Sequence, residues 1–139
     1  FDEGKSWYAA DNARASNLDL DAIRRDAARL ARLQRGNQKH AINGFIFGNM
    51  PVPEMRRGQR VRWHIIALGG VQDVHTVHWH GGTVLAQGRR KDVVSILPAE
   101  SLTVDMTADN PGTWMLHCHV DEHMQAGMHA RYRILPATR

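Results

Sequence analysis

A cysteine flanked by two histidines constrains the fold of this 139-residue chain more than any other feature. Cys118 is the only cysteine, His117 and His119 are its neighbours, and His123 and Met128 follow five and ten residues after it. Successive side chains of a β-strand point to opposite faces of a sheet. If Cys118 ends a strand, its thiol points to one face while both flanking imidazoles point to the other. The chain must therefore build two separate groups of side chains around one strand.

A second run of histidines lies upstream, at His75, His78 and His80. His78 and His80 are two residues apart and share a face of a strand, so His75 is left for the group that contains the thiol. A thiolate, two imidazoles and a weak axial thioether are the ligands of blue-copper sites. We therefore expect one copper to be held by His75, Cys118, His123 and Met128. Four further imidazoles remain for a second metal centre: His78, His80, His117 and His119.

Each motif taken alone has an ordinary explanation. A buried cysteine is usually an inert small apolar residue, and a His-x-His pair on a strand is often two exposed side chains. All these ligands occur together at loop and strand spacing, which favours metal binding. Because His117 and His119 are covalently joined to Cys118, an electron entering the first site has a short route to the second.

These motifs resemble the C-terminal cupredoxin domain of the multicopper oxidases, which share paired His-x-His segments and a His-Cys-His…His…Met run. Within that family, the chain is similar to the branch of ceruloplasmin, hephaestin and the A domains of coagulation factors. The resemblance covers nearly the whole chain. The segments that carry it are residues 1–8 (FDEGKSWY), 40–44 (HAING), 73–81 (DVHTVHWHG) and 111–114 (PGTW).

The resemblance implies a role for each ligand. The type 1 copper ligands would be His75, Cys118, His123 and Met128. The type 2 ligand would be His78, and the type 3 ligands of a trinuclear copper cluster would be His80, His117 and His119. In the family this cluster lies between two domains, each of which supplies half of its histidines. The remaining histidines of this chain are His40, His64 and His129, and they form no further His-x-His pair.

The function implied is that of a copper-dependent oxidoreductase, either laccase-like or ferroxidase-like. Type 1 copper would accept electrons from a phenolic or other organic substrate or from Fe²⁺. The electrons would pass through His117-Cys118-His119 to the trinuclear cluster, which reduces O₂ to water. Activity would require a second cupredoxin domain, in the same polypeptide or in a neighbouring subunit, and we expect a trimer-like homo-oligomer.

Two other functions remain open. A mononuclear blue-copper electron-transfer module would explain Cys118, but it leaves the four remaining imidazoles without a purpose. A non-catalytic, structural module like some A domains would not need the complete ligand set.

The substrate site is suggested only by the resemblance. In ceruloplasmin-like domains, the site where iron is oxidised lies near type 1 copper and uses a histidine at the position of His40 and an acid at the position of Glu122. A further carboxylate of that pattern is replaced by Arg35, and a cation there would repel Fe²⁺.

We expect an all-β, Greek-key cupredoxin sandwich or barrel with one N-terminal amphipathic helix. Apolar residues at helical spacing predict that helix between Asn17 and Asn37, with its arginines in water. Short β-rich segments separated by turn residues predict eight strands, at residues 41–47, 60–68, 73–79, 82–86, 93–97, 101–107, 113–118 and 129–135. The length fits a single domain, residues 1–139, which we take to be the C-terminal part of a larger multicopper oxidase.

The net charge of +4 is explained by a solvated basic helix, and we expect no nucleic-acid partner. No apolar run reaches the roughly 18 residues of a membrane span. The chain begins with Phe1 and shows no signal peptide, which suggests a mature product or a piece of a longer polypeptide. A thiolate reserved for copper, together with the family's habit, suggests a secreted or periplasmic protein.

Overall fold

The computed structural model describes residues 1–68 and 74–138, and within them nine strands form two sheets. The strands are β1 (Glu54–Arg56), β2 (Arg60–Ile66), β3 (His75–Trp79), β4 (Val84–Ala86), β5 (Arg89–Lys91), β6 (Val93–Ile96), β7 (Ser101–Thr107), β8 (Gly112–Cys118) and β9 (His129–Leu135). The helices are α1 (Ala9–Ala15), α2 (Leu20–Arg25), α3 (Ala27–Asn37) and α4 (Asp121–Gln125), and a short 3₁₀ turn, Glu3–Lys5, precedes them.

The two sheets pack face to face around an apolar core. One sheet has the order β1-β9-β8-β3-β6 and the other the order β2-β7-β4-β5. Only β1 and β9 run parallel among these neighbours. Trp63 of β2 joins the layers, because its ring lies edge-on to Trp79 of β3 at 6.1 Å and to Tyr132 of β9 at 5.8 Å. The predicted all-β class is confirmed.

The predicted single helix between Asn17 and Asn37 is divided in two. Asp26 has extended backbone angles (φ −114°, ψ 105°), and its carboxylate accepts hydrogen bonds from the amides of Ala28 and Arg29.

 A carboxylate that binds the first amides of a helix is a helix N-cap, so α3 begins at Ala27 and α2 ends at Arg25. The basic face is exposed as expected: Arg24, Arg25, Arg29, Arg32 and Arg35. Among the described residues, no helix is long and apolar enough to cross a membrane.

The predicted strand at residues 41–47 is wrong. The segment holds a single bridge between Ile42 and Phe45. Between them Asn43 and Gly44 both have positive φ, 51° and 82°, as an Asn-Gly pair in a tight turn does. The other seven predicted strands are present, with shifts at their ends. The strand predicted at 73–79 begins at His75, and Asp73 lies outside the described residues.

Two strands escaped prediction. Strand β1 has only three residues, which is too short for an alternating pattern. Strand β5 is Arg-Arg-Lys and wholly exposed. It therefore has no apolar face from which a strand could be predicted. It pairs with β4 across Gln87 and Gly88, whose positive φ values of 50° and 75° build the hairpin turn.

The strand that carries Cys118 lies in the middle of its sheet. Strand β8 is bonded to β9 on one side and to β3 on the other. In this register His78 lies opposite His117, and Val77 lies opposite Cys118. The two histidine-containing segments that are distant in sequence are therefore neighbours.

Candidate metal centre

The first group of donor atoms, here called the thiolate group, consists of His75, Cys118 and His123. The sulfur of Cys118 lies 3.8 Å from Nδ1 of His75 and 3.7 Å from Nδ1 of His123. The two Nδ1 atoms are 3.2 Å apart. All three side chains are buried, with exposed fractions of 6%, 3% and 9%. Three donors converge on one point from three separate elements, β3, β8 and α4.

Backbone hydrogen bonds hold this group together. The Cys118 amide donates to the carbonyl of Met128 at 3.0 Å, which folds the end of the ligand loop back onto β8. The amide of Thr76 lies 3.5 Å from the Cys118 sulfur and donates to it. A donor at sulfur stabilises a thiolate, because the negative charge accepts the hydrogen bond. Met128 itself is partly buried and lines a cavity beside His75.

The second group, here called the imidazole group, consists of His78, His80 and His117. Nε2 of His117 lies 3.1 Å from Nδ1 of His78 and 3.0 Å from Nε2 of His80. His119 lies at the edge of this group, with its ring centre 5.2 Å from that of His78 and 5.4 Å from that of His117. The structure thus brings all four predicted imidazoles together, on the far side of β8 from the thiol.

Hydrogen bonding and burial prepare these imidazoles to bind a metal. Nδ1 of His117 donates to the backbone carbonyl of Cys118 at 2.7 Å, which leaves the lone pair of Nε2 facing the group. Burial, followed by the neighbouring imidazoles, lowers the pKa of His78. Burial also lowers the pKa of His117, against the effect of its bond to Cys118. Neutral imidazole is the form that binds metal ions.

A tight turn fixes His80, and sequence reasoning did not assign roles to the residues that hold it. The hydroxyl of the buried Tyr132 donates to the carbonyl of His80 at 2.6 Å. Gly81 lies under the ring of Trp114, so close that a Cβ there would be 2.2 Å from Cδ2 of the ring. Asn110 donates to the carbonyl of Gly81 and accepts from the indole of Trp114. The Pro-Gly-Thr-Trp segment carries part of the family resemblance, but its sequence does not indicate this contact.

Asp92 is a second residue that sequence reasoning missed. Its carboxylate lies 3.9 Å from Nε2 of His78, and its side chain is largely exposed. The carboxylate raises the pKa of His78, although burial and the neighbouring imidazoles outweigh it. The amide of Trp79, at the end of β3, donates to the carbonyl of Asp92, which directly precedes β6. The pairing of β3 with β6 therefore brings Asp92 next to His78.

The two predicted substrate residues both adjoin His123. His40 is partly buried, and its ring stacks on that of His123 with centres 4.0 Å apart. Glu122 is exposed in the first turn of α4. Arg35, which stands where the resemblance expects a further acid, is exposed near the end of α3.

The chemistry of the donors fits copper. A soft thiolate with two imidazoles, within about 4 Å of one another, is the trigonal set of a blue-copper site. Clustered imidazoles without a thiolate also suit copper among the transition metals. The thiolate group and the imidazole group therefore match two copper sites of different kinds.

Comparison with known proteins agrees with this donor set. The family described as "Multicopper oxidase" matches residues 21–138 of the chain. The chain is 42% identical to ferroxidase HEPHL1 of Mus musculus over 96% of its own length, which is 11% of that protein. It is 40% identical to ceruloplasmin of Rattus norvegicus over 98% of its length, which is 13% of that protein. The chain belongs to the multicopper oxidase family, as the resemblance predicted.

Solved structures show the same fold. A blue copper oxidase from Nitrosomonas europaea is 27% identical, with a TM-score of 0.56 over 63% of this chain and 32% of that one. A multicopper oxidase from Campylobacter jejuni, at 21% identity, matches with a TM-score of 0.61 over 81% of this chain and 26% of that one. The chain has the cupredoxin-like fold of this family, and it spans about a tenth of the length of the relatives named above.

Proposed function

We propose that this chain is the type 1 copper domain of an oxidase that takes electrons from a reducing substrate and reduces O₂ to water. One observation supports it above all: the thiolate group and the imidazole group meet at adjacent residues, since Cys118 belongs to one and His117 to the other. When bound, copper would supply one-electron transfer at the first group and O₂ reduction at the second. A mononuclear electron-transfer protein has no use for the imidazole group.

Each side chain has a distinct role in this proposal. The type 1 ligands are His75, Cys118, His123 and Met128. The type 2 ligand is His78, and the type 3 ligands are His80, His117 and His119. The peptide between Cys118 and its two neighbours provides the covalent route between the sites. Burial of the thiolate group keeps bulk water from it.

The second half of the cluster comes from another cupredoxin domain. His80 and His119 are exposed, so the imidazole group is open on the side where further ligands would approach. The partner domain lies in the same polypeptide or in a neighbouring subunit, in a trimer-like arrangement. Residues 1–139 then form one domain, the C-terminal part of a larger multicopper oxidase. The short span of this chain on its relatives supports the presence of further domains.

We place the protein outside the cytoplasm, secreted or in the periplasm. A buried free thiol in the thiolate group is protected when copper binds it. The membership of the multicopper oxidase family supports the same compartment.

The proposed assembly with a second domain can be tested by measuring how many copper ions are bound to a particle of known mass. The isolated chain as a monomer should bind about one copper tightly and consume no O₂. O₂ consumption should appear only when a second histidine-rich domain is present. A strict monomer that holds three or four coppers and reduces O₂ would contradict this, and a full-length protein that takes up one copper and never reduces O₂ would favour the electron-transfer module.

The colour of the protein tests the type 1 site. The copper-loaded protein should be intensely blue, because a thiolate-to-copper transition requires the Cys118 sulfur. Cys118→Ser should abolish the colour. A colourless wild-type protein with copper bound would refute the assignment.

The reducing substrate is Fe²⁺ or an organic molecule such as a phenol. The relatives named ferroxidase favour iron, as does the position of His40 and Glu122 beside His123. Arg35 opposes it. If Glu122 binds Fe²⁺, Glu122→Ala should slow iron oxidation strongly and phenol oxidation little. Asp121→Ala is the matched control, since that acid lies in the same turn and is bonded to Gln125.

Equal effects of Glu122→Ala on both substrates would count against an iron site. Equal effects of Glu122→Ala and Asp121→Ala on iron oxidation would mean that only the overall charge of α4 matters.

A further inference from the structure

A third imidazole packs against the thiolate group without belonging to it. The ring of His40 lies nearly parallel to that of His123, with 16° between the planes and 4.0 Å between the centres. Its edge also faces the ring of His75, at 6.4 Å and 67°. One side chain therefore contacts both imidazole donors of the group.

The backbone around His40 is bonded to the loop that carries His123. The His40 amide donates to the carbonyl of Ala126 at 3.2 Å. Further along, the amides of Phe47 and Gly48 donate to the carbonyls of Gly127 and His129 at 2.9 and 3.0 Å. The segment from residue 40 to residue 48 thus follows the ligand loop along its length.

Close packing also holds the segment from residue 40 to residue 48 against the ligand loop. A Cβ on Gly127 would lie 2.8 Å from Cβ of Ile46, so the segment and the loop approach too closely for a side chain there. His40 is consequently not a mobile surface residue. Its ring is held at a fixed place above the ring of His123.

The orientation of His123 matters because an imidazole lone pair lies in the plane of its ring. Metal donors must be held within about 10–20° of the productive direction. A flat aromatic neighbour restricts that plane from one side. His40 also lies in the wall of a cavity of about 550 Å³ that His75 and Met128 line as well.

We propose that His40 is a positioning residue for the type 1 site, which fixes the plane of His123 by stacking. The inference rests on the proposed copper site. The contribution comes from the aromatic ring, and it does not depend on a nitrogen atom of His40 binding any substrate.

Two substitutions separate the ring from the nitrogen atoms. His40→Phe keeps a flat ring at the same place, whereas His40→Ala removes it. We expect His40→Ala to release copper from the type 1 site about tenfold faster and to shift its reduction potential and its visible spectrum. His40→Phe should restore all three properties most of the way to wild type. His64→Ala is the control, because His64 is exposed on β2 and bonded to Thr103.

The outcomes are distinct. If His40→Ala leaves copper release, potential and spectrum unchanged, the proposal is wrong. It is also wrong if His40→Phe changes them as much as His40→Ala does. A loss of iron oxidation in both variants with an unchanged copper spectrum would assign His40 to the substrate alone and overturn the positioning role. A wild-type protein that is never blue refutes the type 1 site itself, whatever His40 does.

Discussion

Replacement of Gly81 by alanine should be costly, and the structure gives the reason. Gly81 has a φ of 69°, in the left-handed region. An alanine Cβ would lie 2.2 Å from Cδ2 of Trp114 and 2.4 Å from both Cε2 and Cε3. Ordinary carbon–carbon contacts begin at about 3.5 Å, so the indole would have to move back by about 1.3 Å. Such a movement would disturb its bond to Asn110.

The expected loss of stability combines two effects. A non-glycine residue in the left-handed region costs about 1–2 kcal/mol. Overpacking against a ring that is held in place costs about 1–3 kcal/mol. The free energy of unfolding should therefore fall by about 2–5 kcal/mol, as measured by urea denaturation with an unchanged m-value.

Gly88→Ala is the matched control. Gly88 has a φ of 75°, and a Cβ there would meet no atom within 4 Å. The free energy of unfolding of this variant should fall only by the cost of the left-handed backbone, about 1–2 kcal/mol. Equal losses in the two variants would refute the argument that Trp114 packs on the turn, because the backbone effect alone would then explain both.

Three further predictions concern other parts of the molecule. Tyr132→Phe should lower stability by about 1–3 kcal/mol, because the partly buried carbonyl of His80 loses its donor. Burial raises the pKa of Tyr132 to about 12, so the wild type should lose stability as the pH rises from about 10 towards that value, and pH-dependent unfolding of Tyr132→Phe should lack this loss. Asp26→Ala should join α2 and α3 and raise the helical content in circular dichroism, whereas a fall would show that the cap is needed for α3 to form. Met128→Leu should keep the blue colour and raise the reduction potential of the type 1 site, and a lost colour would contradict a weak axial role.

Periodicity predicted the sheets well and the connections poorly. Strands such as β7 and β9 alternate buried and exposed residues, and this alternation is visible in the sequence. Strand β5 has no apolar residue, so its pairing depends on the turn before it. The helix break at Asp26 could not be predicted, because a capping carboxylate within a helical pattern cannot be distinguished in the sequence from any other exposed acid.

The ligands were predictable because their spacing is short and chemically unusual. A single cysteine between two histidines limits how the side chains divide between the faces of a strand. The contacts of Tyr132, Asp92 and His40 were not predictable in this way. Each depends on a neighbour far away in sequence; Tyr132, for example, lies 52 positions after His80.

The placement of His117 and Cys118 on one central strand ties the two sites to a single register. A one-residue shift of a strand moves every side chain to the opposite face. A deletion or insertion of one residue within β8, ahead of His117, would turn the thiol away from His75 and the imidazole away from His78 unless a bulge absorbed it. A shift of register would therefore disrupt both sites in the same event, whereas a substitution such as Cys118→Ser removes a ligand from only one of them.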